Sequence, residues 1–181
     1  QSGGGDRQGP CDDAEELPNG YLDTTSSDLE LAFEKATQTV GVRFRGIAIP
    51  PGAIIDSAWI QFTVDEVSTG PASLVVRAHN VANPATFSGA FGITSRPTTT
   101  ASVGWAPAPW PTVGAAGPNQ RTPDLRVLIQ ALVSKAGWAS GNAIALIITG
   151  SGTRTAESFN GTAAPRLHIA WHTGTTTTTT D

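Results

Sequence analysis

The stretch "SAWIQFTVDEV", residues 57–67, decides the fold class, because apolar and polar side chains alternate along it. One parity carries Ala58, Ile60, Phe62 and Val64, and the other carries Trp59, Gln61, Thr63 and Asp65. Successive side chains of an extended chain point to opposite faces, so this period of two indicates a β-strand with one buried face.

The same alternation, or a short continuous apolar run, recurs along the rest of the chain. The segments that show it are residues 28–34, 40–49, 73–81, 142–150, 153–161 and 165–172. Residues 83–122 are rich in proline and tryptophan, and we expect loops there with a short strand at residues 102–105. About eight short strands in one chain predict an all-β, jelly-roll β-sandwich.

One segment departs from this pattern and predicts a single short helix over about residues 122–136. Leu125, Leu128, Ile129, Leu132 and Val133 follow one another at helical spacing. We expect Thr122 to cap the helix, Pro123 and Asp124 to occupy its first turn, and Gly137 to end it.

Composition and charge exclude several classes of function. Charged residues make up 14% of the 181-residue chain, and the net charge of −4 comes without a basic stripe, which argues against nucleic-acid binding. No apolar run approaches the roughly 18 residues that span a bilayer. The stretch "GWASG", residues 137–141, has alanine where a serine-hydrolase elbow needs its nucleophile, and we identify no catalytic residue.

Several motifs occur in an order that resembles a known module. They are "DDAEE", "SSDLEL", "VGVRF", "IPPGAII", "SAWIQFTVDE", "TPDL", "GWASGNA" and "AAPRLHI", all within residues 11–172. This series resembles the DNRLRE-type jelly rolls of bacterial surface and secreted proteins, a group that borders on carbohydrate-binding modules. The resemblance implies an extracellular or cell-surface, non-catalytic β-sandwich and transfers no catalytic residue.

The two ends lie outside this resemblance. Residues 1–10 have no apolar pattern and are expected to form an arm, and residues 173–181 form a Thr-rich tail or linker. The sequence contains no methionine, so we expect a processed product or a fragment, with Gln1 following a removed signal. Cys11 is the single cysteine, which excludes an internal disulfide and leaves a small residue near a strand start or a bridge between chains.

The carboxylates are candidates for a structural calcium site, since calcium binds six to eight oxygen ligands. The candidate ligands are Asp12, Asp13, Glu15, Glu16, Asp28 and Glu30. The alternative is a solvated acidic edge, because edge strands carry charge that prevents unwanted pairing.

Aromatic and hydroxyl-bearing residues suggest contact with glycans. Trp59, Trp105 and Trp110 are candidates for a sugar-stacking platform, although they could instead cover the sandwich or face a neighbouring subunit. Asn160 begins an N-glycosylation triplet. The candidates for O-glycosylation are Thr175, Thr176, Thr177, Thr178, Thr179 and Thr180.

Two functions remain open from the sequence. The first is a structural protomer of an extracellular filament or surface assembly, in which a terminal arm adds a strand to a neighbouring copy, head to tail. The Thr run suits this role because threonine has high β propensity. The second is a carbohydrate-binding module of a larger secreted enzyme or adhesin.

Overall fold

The fold is built from two layers of short strands, seen in a computed structural model that describes residues 12–174. The predicted arm at residues 1–10, Cys11 and the candidate glycosylation sites at residues 175–180 lie outside the described residues. The described strands begin at Asp12 and end at Thr173.

The first layer is one antiparallel six-stranded sheet. Its strands are β1 (Asp12–Glu16), β2 (Leu22–Asp23), β4 (Thr39–Phe44), β7 (Ser73–Ala78), β8 (Val103–Trp105) and β9 (Ile144–Ser151). They lie in the order β2-β1-β4-β9-β7-β8. The continuous apolar run of β9 is therefore explained by its central position, where both faces of the sheet are covered.

The second layer consists of two smaller antiparallel sheets, and one continuous extended segment of the chain contributes a strand to each of them. Its strands are β3 (Asp28–Leu31), β5 (Ala53–Gln61), β6 (Val64–Glu66), β10 (Arg154–Glu157) and β11 (Arg166–Thr173). The orders are β3-β10-β6 and β11-β5. Only Phe62 and Thr63 separate β5 from β6, and the alternation of buried and partly exposed residues continues through them. The two smaller sheets therefore form one face of the sandwich.

The predicted all-β sandwich with one short helix is confirmed. Strands β1, β3, β4 and β5 alternate between the two layers, which is typical of jelly-roll sandwiches. The inward parity of residues 57–67 is the one that the sequence predicts, since Ala58, Ile60, Phe62 and Val64 are all fully buried.

The helix is shorter than predicted and comprises α1, Arg126–Val133. Thr122 binds strand β5 instead of capping the helix, and Asp124 binds both β5 and the first residue of the helix. The Thr122 hydroxyl accepts the Ile60 N–H at 3.0 Å, and Asp124 accepts the Ala58 N–H at 3.0 Å as well as that of Arg126. Residues 122–125 therefore run along β5 and satisfy its outer backbone groups before the helix begins.

A long loop between β7 and β8 covers the outer face of the six-stranded sheet. Phe87 and Ile93 from this loop pack on Ala14 of β1 and on outward residues of β9. A Cβ atom on Gly41 of β4 would lie 2.5 Å from the Phe87 ring, so only glycine allows this close approach.

Arg154 is buried at the start of β10 and fastens the proline-rich segment to the sandwich. Its side chain is 1% exposed. Its guanidinium donates to the carbonyl oxygens of Ala108, Pro107, Gly70 and Thr153 at 2.7–2.9 Å. Burial lowers the pKa of this guanidinium from its ordinary value, yet the four carbonyl acceptors stabilise the charge. Arg154 thus holds the segment between Trp105 and Trp110, together with the pairing of β8 with β7 and the backbone bridge from Trp110 to Ser68.

Replacing Arg154 with methionine should lower the free energy of unfolding by about 2–4 kcal/mol, because it leaves buried carbonyl groups without donors. Urea unfolding followed by tryptophan fluorescence measures this change. Arg126→Met is the matched control, because Arg126 is exposed on α1. It should change stability by at most about 0.5 kcal/mol. Equal stability of the two variants would contradict the role given to Arg154.

Candidate functional site

The three tryptophans that were candidates for a sugar-stacking platform do not lie on one surface. Trp110 is 0% and Trp105 is 6% exposed. Their rings lie 6.4 Å apart and both pack against Phe62 in the core. The prediction for Trp105 and Trp110 is therefore corrected, because rings that fill the space between the two sheets offer no face to a sugar. Sequence parity could not detect this, since Trp105 ends a strand of only three residues and Trp110 comes from a loop.

Trp59 lies on the outer face of β5, as its parity predicts, but neighbouring side chains cover its ring. His168 on β11 stacks on it with ring centres 5.3 Å apart, and the Arg121 guanidinium lies 5.3 Å from its centre. These two residues approach from opposite sides of β5, because β11 pairs on one side and Arg121 bridges to Gln61 on the other. Trp59 thus acts as the middle of a surface stack.

The acidic stretch of β1 is buried, which corrects the alternative of a solvated acidic edge. Asp13, Glu15 and Glu16 are 4%, 7% and 2% exposed. Strand β1 lies between β2 and β4 and is not an edge of the sheet. The carboxylates are thus available as internal hydrogen-bond acceptors.

Each β1 carboxylate binds a different part of the chain. Asp12 pairs with Arg43 at 2.6 Å and Asp13 accepts the Phe159 N–H at 2.8 Å. Glu16 accepts the Ile93 N–H at 2.6 Å and also the N–H and hydroxyl of Thr94. These carboxylates do not converge on one point, and their arrangement fastens separate loops to β1.

Glu15 and Glu30 form a carboxyl pair between the two layers. Glu15 accepts the Glu30 N–H at 2.6 Å. Burial, together with the neighbouring Glu30 carboxyl group, raises the pKa of Glu15 to about 9. Burial also raises the pKa of Glu30. A buried and a half-buried carboxyl group in contact favour one shared proton, so the pair is a proton-holding structural contact at neutral pH.

Three other carboxylates do come together at the surface. Oxygens of Asp28, Asp65 and Glu66 lie within 4.8 Å of one another. Burial and then the charge of Glu157 raise the pKa of Asp65. Of the six predicted calcium ligands only Asp28 belongs to this group. Such acidic groups are common without an ion, and structural calcium stays a prediction.

Asn160 is exposed at the turn after β10. Its side-chain amide donates to the Thr24 carbonyl oxygen at 3.1 Å. The hydroxyl of Thr162, the third residue of the triplet, donates to Glu157 at 2.8 Å. The local chain is therefore well fixed, and glycosylation at Asn160 stays a prediction.

A cleft that the sequence analysis missed lies where the β7–β8 loop meets β2. It has a volume of about 420 Å³ and is lined by Tyr21, Leu22 and Phe87 together with small and polar residues. Tyr21 is 60% exposed. Phe91, at φ 55° and 47% exposed, packs against Gly20 beside it. An aromatic residue directly after the turn "PNG" was the available signal, because turn residues lie at surfaces.

Strand β11 has one side without a neighbour among the described residues, since it pairs only with β5. The N–H groups of Ala58 and Ile60 point away from β11, towards Asp124 and Thr122. The backbone N–H and C=O groups of Trp59, which lies between these two residues, therefore point towards β11, where Trp59 pairs with His168. Alternation then directs the backbone groups of Leu167 and Ile169 outwards. We call this outward side of residues 166–173 the free edge of β11.

The β3 edge differs from this free edge because a side chain covers it. The Glu30 N–H, on the outer side of β3, is already bound by Glu15. In the six-stranded sheet the outermost strands, β2 and β8, have only two and three residues. Among the described strands, β11 thus offers the longest side for strand addition.

No protein-family model and no curated protein matches this chain. The resemblance to DNRLRE-type modules therefore stays a prediction. Between residues 12 and 174, none of the helices has the length and apolar character that crossing a bilayer requires. Functional inference consequently rests on the geometry of the cleft, the free edge and the charged groups.

The Glu15–Glu30 pair predicts that stability falls as the pH rises. Glu15 titrates at about 9 in the folded state, against an ordinary value of 4.5. The folded state thus binds more protons between these values, and the free energy of unfolding decreases across that window.

Glu15→Gln keeps an acceptor for the Glu30 N–H and removes this titration. From pH 5 to pH 9 the wild type should lose about 2 kcal/mol more stability than the variant, as measured by urea unfolding. Glu34→Gln, at an exposed position, is the control and should follow the wild type. A fall in stability with pH that is as steep in Glu15→Gln as in the wild type would contradict the shared proton.

Proposed function

We propose that this chain is a non-catalytic, extracellular structural module that assembles with copies of itself by strand addition. The observation that carries the proposal is the free edge of β11. Unpaired backbone groups along a long edge strand are a template for another strand. Natural edges are usually protected by charge, proline or shortness, and β11 has eight residues with Arg166 as its one permanently charged side chain.

The proposed occupant of the free edge is the Thr run, residues 175–180, of a neighbouring copy. This run follows β11 with only Gly174 between them, so each copy carries a donor segment next to an acceptor edge. Threonine favours extended backbone. A contact between the donor of one copy and the acceptor of the next is heterologous, and such contacts build filaments when they do not close into rings.

Glycans are a second part of this proposal. Asn160 and residues 175–180 remain the candidate attachment sites, and Asn160 is exposed on the turn between β10 and β11. The side chains of an added strand alternate, so half of its hydroxyls would face away from the sandwich and could carry sugar. Intact-mass measurement of material from its native source tests this part directly.

Ala170→Lys tests strand addition. Ala170 is exposed on β11, and a lysine on an edge strand hinders the approach of another chain. Filaments or larger assemblies of the wild type, seen by negative-stain microscopy and sedimentation, should be lost in this variant. Ala131→Lys is the matched control, because it adds the same charge at an exposed position of α1. It should assemble as the wild type does.

Deletion of residues 175–180 should abolish assembly and leave the unfolding midpoint unchanged, because β11 already ends at Thr173. Deletion of residues 1–10 tests the other arm in the same assay. A wild type that stays monomeric at high concentration would refute the proposal, and so would assembly that survives Ala170→Lys and both deletions.

A carbohydrate-binding module is the second candidate, and the cleft beside Tyr21 favours it. Exposed aromatic rings next to polar groups suit sugars, because one ring face can stack on the apolar face of a pyranose while hydroxyls find hydrogen-bond partners. Tyr21 and Phe91 replace the predicted tryptophans in this role. The cleft also offers Thr24 and Ser88 as polar partners.

Tyr21→Ala tests this second candidate in a polysaccharide affinity-electrophoresis panel. Loss of one stacking ring should weaken binding of a retained polysaccharide about threefold to tenfold. Phe33→Ala is the control, since Phe33 is 42% exposed and does not line the cleft. Retention of no polysaccharide by the wild type, or equal retention by both variants, would refute a site at Tyr21.

A further inference from the structure

A pocket of about 230 Å³ lies on the outer face of the six-stranded sheet, on the side away from the core. Its floor consists of Thr39 on β4, Arg77 on β7, and Ile147 and Thr149 on β9. Its wall is the end of the β7–β8 loop, with Thr94, Arg96 and Thr98. Arg77, Arg96 and four threonines thus surround a space whose lining also includes two isoleucines, Ile93 and Ile147.

Arg77 stands out because it is partly buried and its side chain makes no hydrogen bond or ion pair within residues 12–174. Other arginines of the fold have such partners: Arg43 pairs with Asp12, and Arg126 pairs with Asp124. A partly desolvated cation without a partner is unfavourable, and it favours a bound anion.

Arg96 adds a second positive charge without a carboxylate contact. Its guanidinium donates to the carbonyl oxygens of Gly92, Ala85 and Thr86 and lies 4.4 Å from the centre of the Phe87 ring. His79 beside it is neutral at pH 7, because burial and the charge of Arg96 lower the pKa of His79 to about 4. Arg96 is therefore fixed in place by neutral acceptors, and burial lowers the pKa of Arg96 while the charges of Asp12 and Arg43 act on it in opposite directions.

One carboxylate, that of Glu16, touches the wall of the pocket. It is buried behind the loop and accepts the N–H groups of Ile93 and Thr94 together with the Thr94 hydroxyl. It makes no ion pair with Arg77 or Arg96 in the described part of the chain. The summed side-chain charge of Arg77, Arg96 and Glu16 is positive, although the total charge of the protein is −4.

The remaining threonines supply neutral donors. The side-chain hydroxyls of Thr39, Thr98 and Thr149 have no hydrogen-bond partner within residues 12–174. A guanidinium with several free hydroxyls around it matches the planar or tetrahedral oxygens of a carboxylate or sulfate group. The volume is below the 300–1,000 Å³ or so of ordinary ligand pockets, which fits one small group better than a whole oligosaccharide.

We infer that the pocket at Arg77 binds one oxyanion group, a carboxylate or a sulfate, with Arg77 as the principal ligand and the threonine hydroxyls as further donors. The group can be carried by an acidic sugar or be a free inorganic anion. This inference is independent of strand addition, since β11 belongs to the other layer of the sandwich.

The test titrates the full chain with sodium sulfate, sodium glucuronate and uncharged glucose at constant ionic strength. Backbone amide NMR shifts at Thr39 and Thr149 report occupancy. Arg77→Gln should weaken anion binding at least about tenfold. Arg126→Gln, which removes the same charge from the exposed surface of α1, should bind as the wild type does.

Thr149→Val is a second variant, which removes one hydroxyl with little change of shape. It should weaken binding about threefold to tenfold. Arg77→Gln should leave the thermal midpoint without anion unchanged or raised, because no internal contact is lost. Sulfate binding alone would support a free inorganic anion, and glucuronate binding would support an acidic sugar.

Three results would overturn the inference. The first is a wild type that binds neither anion at about 10 mM, a concentration above the range of a specific site. The second is equal binding of glucose. The third is wild-type anion affinity in both Arg77→Gln and Thr149→Val.

Discussion

One buried guanidinium controls how the longest irregular part of this chain meets its sandwich. Arg154 gathers carbonyl oxygens from Gly70, Pro107 and Ala108 around a side chain that is 1% exposed. Prolines have no N–H to give to a sheet, so the carbonyl groups of a proline-rich segment take a larger share in fixing it. Five fixed donors make arginine suited to this task. Because the segment is fixed there, Trp105 and Trp110 reach Phe62 and fill the core.

The acidic residues of β1 have the complementary role, because they accept hydrogen bonds from loop N–H groups that need acceptors. Asp13 and Glu16 bind the N–H groups of Phe159, Ile93 and Thr94, so that β1 connects to both the β10–β11 turn and the β7–β8 loop. Buried carboxylates without a cation are costly unless they accept hydrogen bonds or keep a proton. Both arrangements occur on β1, since Asp13 and Glu16 accept hydrogen bonds and Glu15 keeps a proton beside Glu30.

These internal contacts leave three separate places for the proposed functions. The side of β5 that faces away from β11 is covered by residues 115–125. The edge of β3 is occupied by Glu15. Those places are the free edge of β11, the cleft at Tyr21 and the pocket at Arg77. Assembly and ligand binding can coexist on this fold, because the edge belongs to one layer and the Arg77 pocket to the other.

The sequence by itself determined the fold class, because alternation along residues 57–67 is a local property that any burial of one face must preserve. It also predicted the short strand near Trp105, the presence of one helix and the central apolar strand β9. Tertiary structure alone decided which aromatic rings are buried, where the helix begins and that the acidic stretch is internal. These depend on contacts between distant segments, such as Thr122 with Ile60 or Glu16 with Thr94. The unpartnered Arg77 is likewise visible only in three dimensions, because a missing partner has no local signature in a sequence.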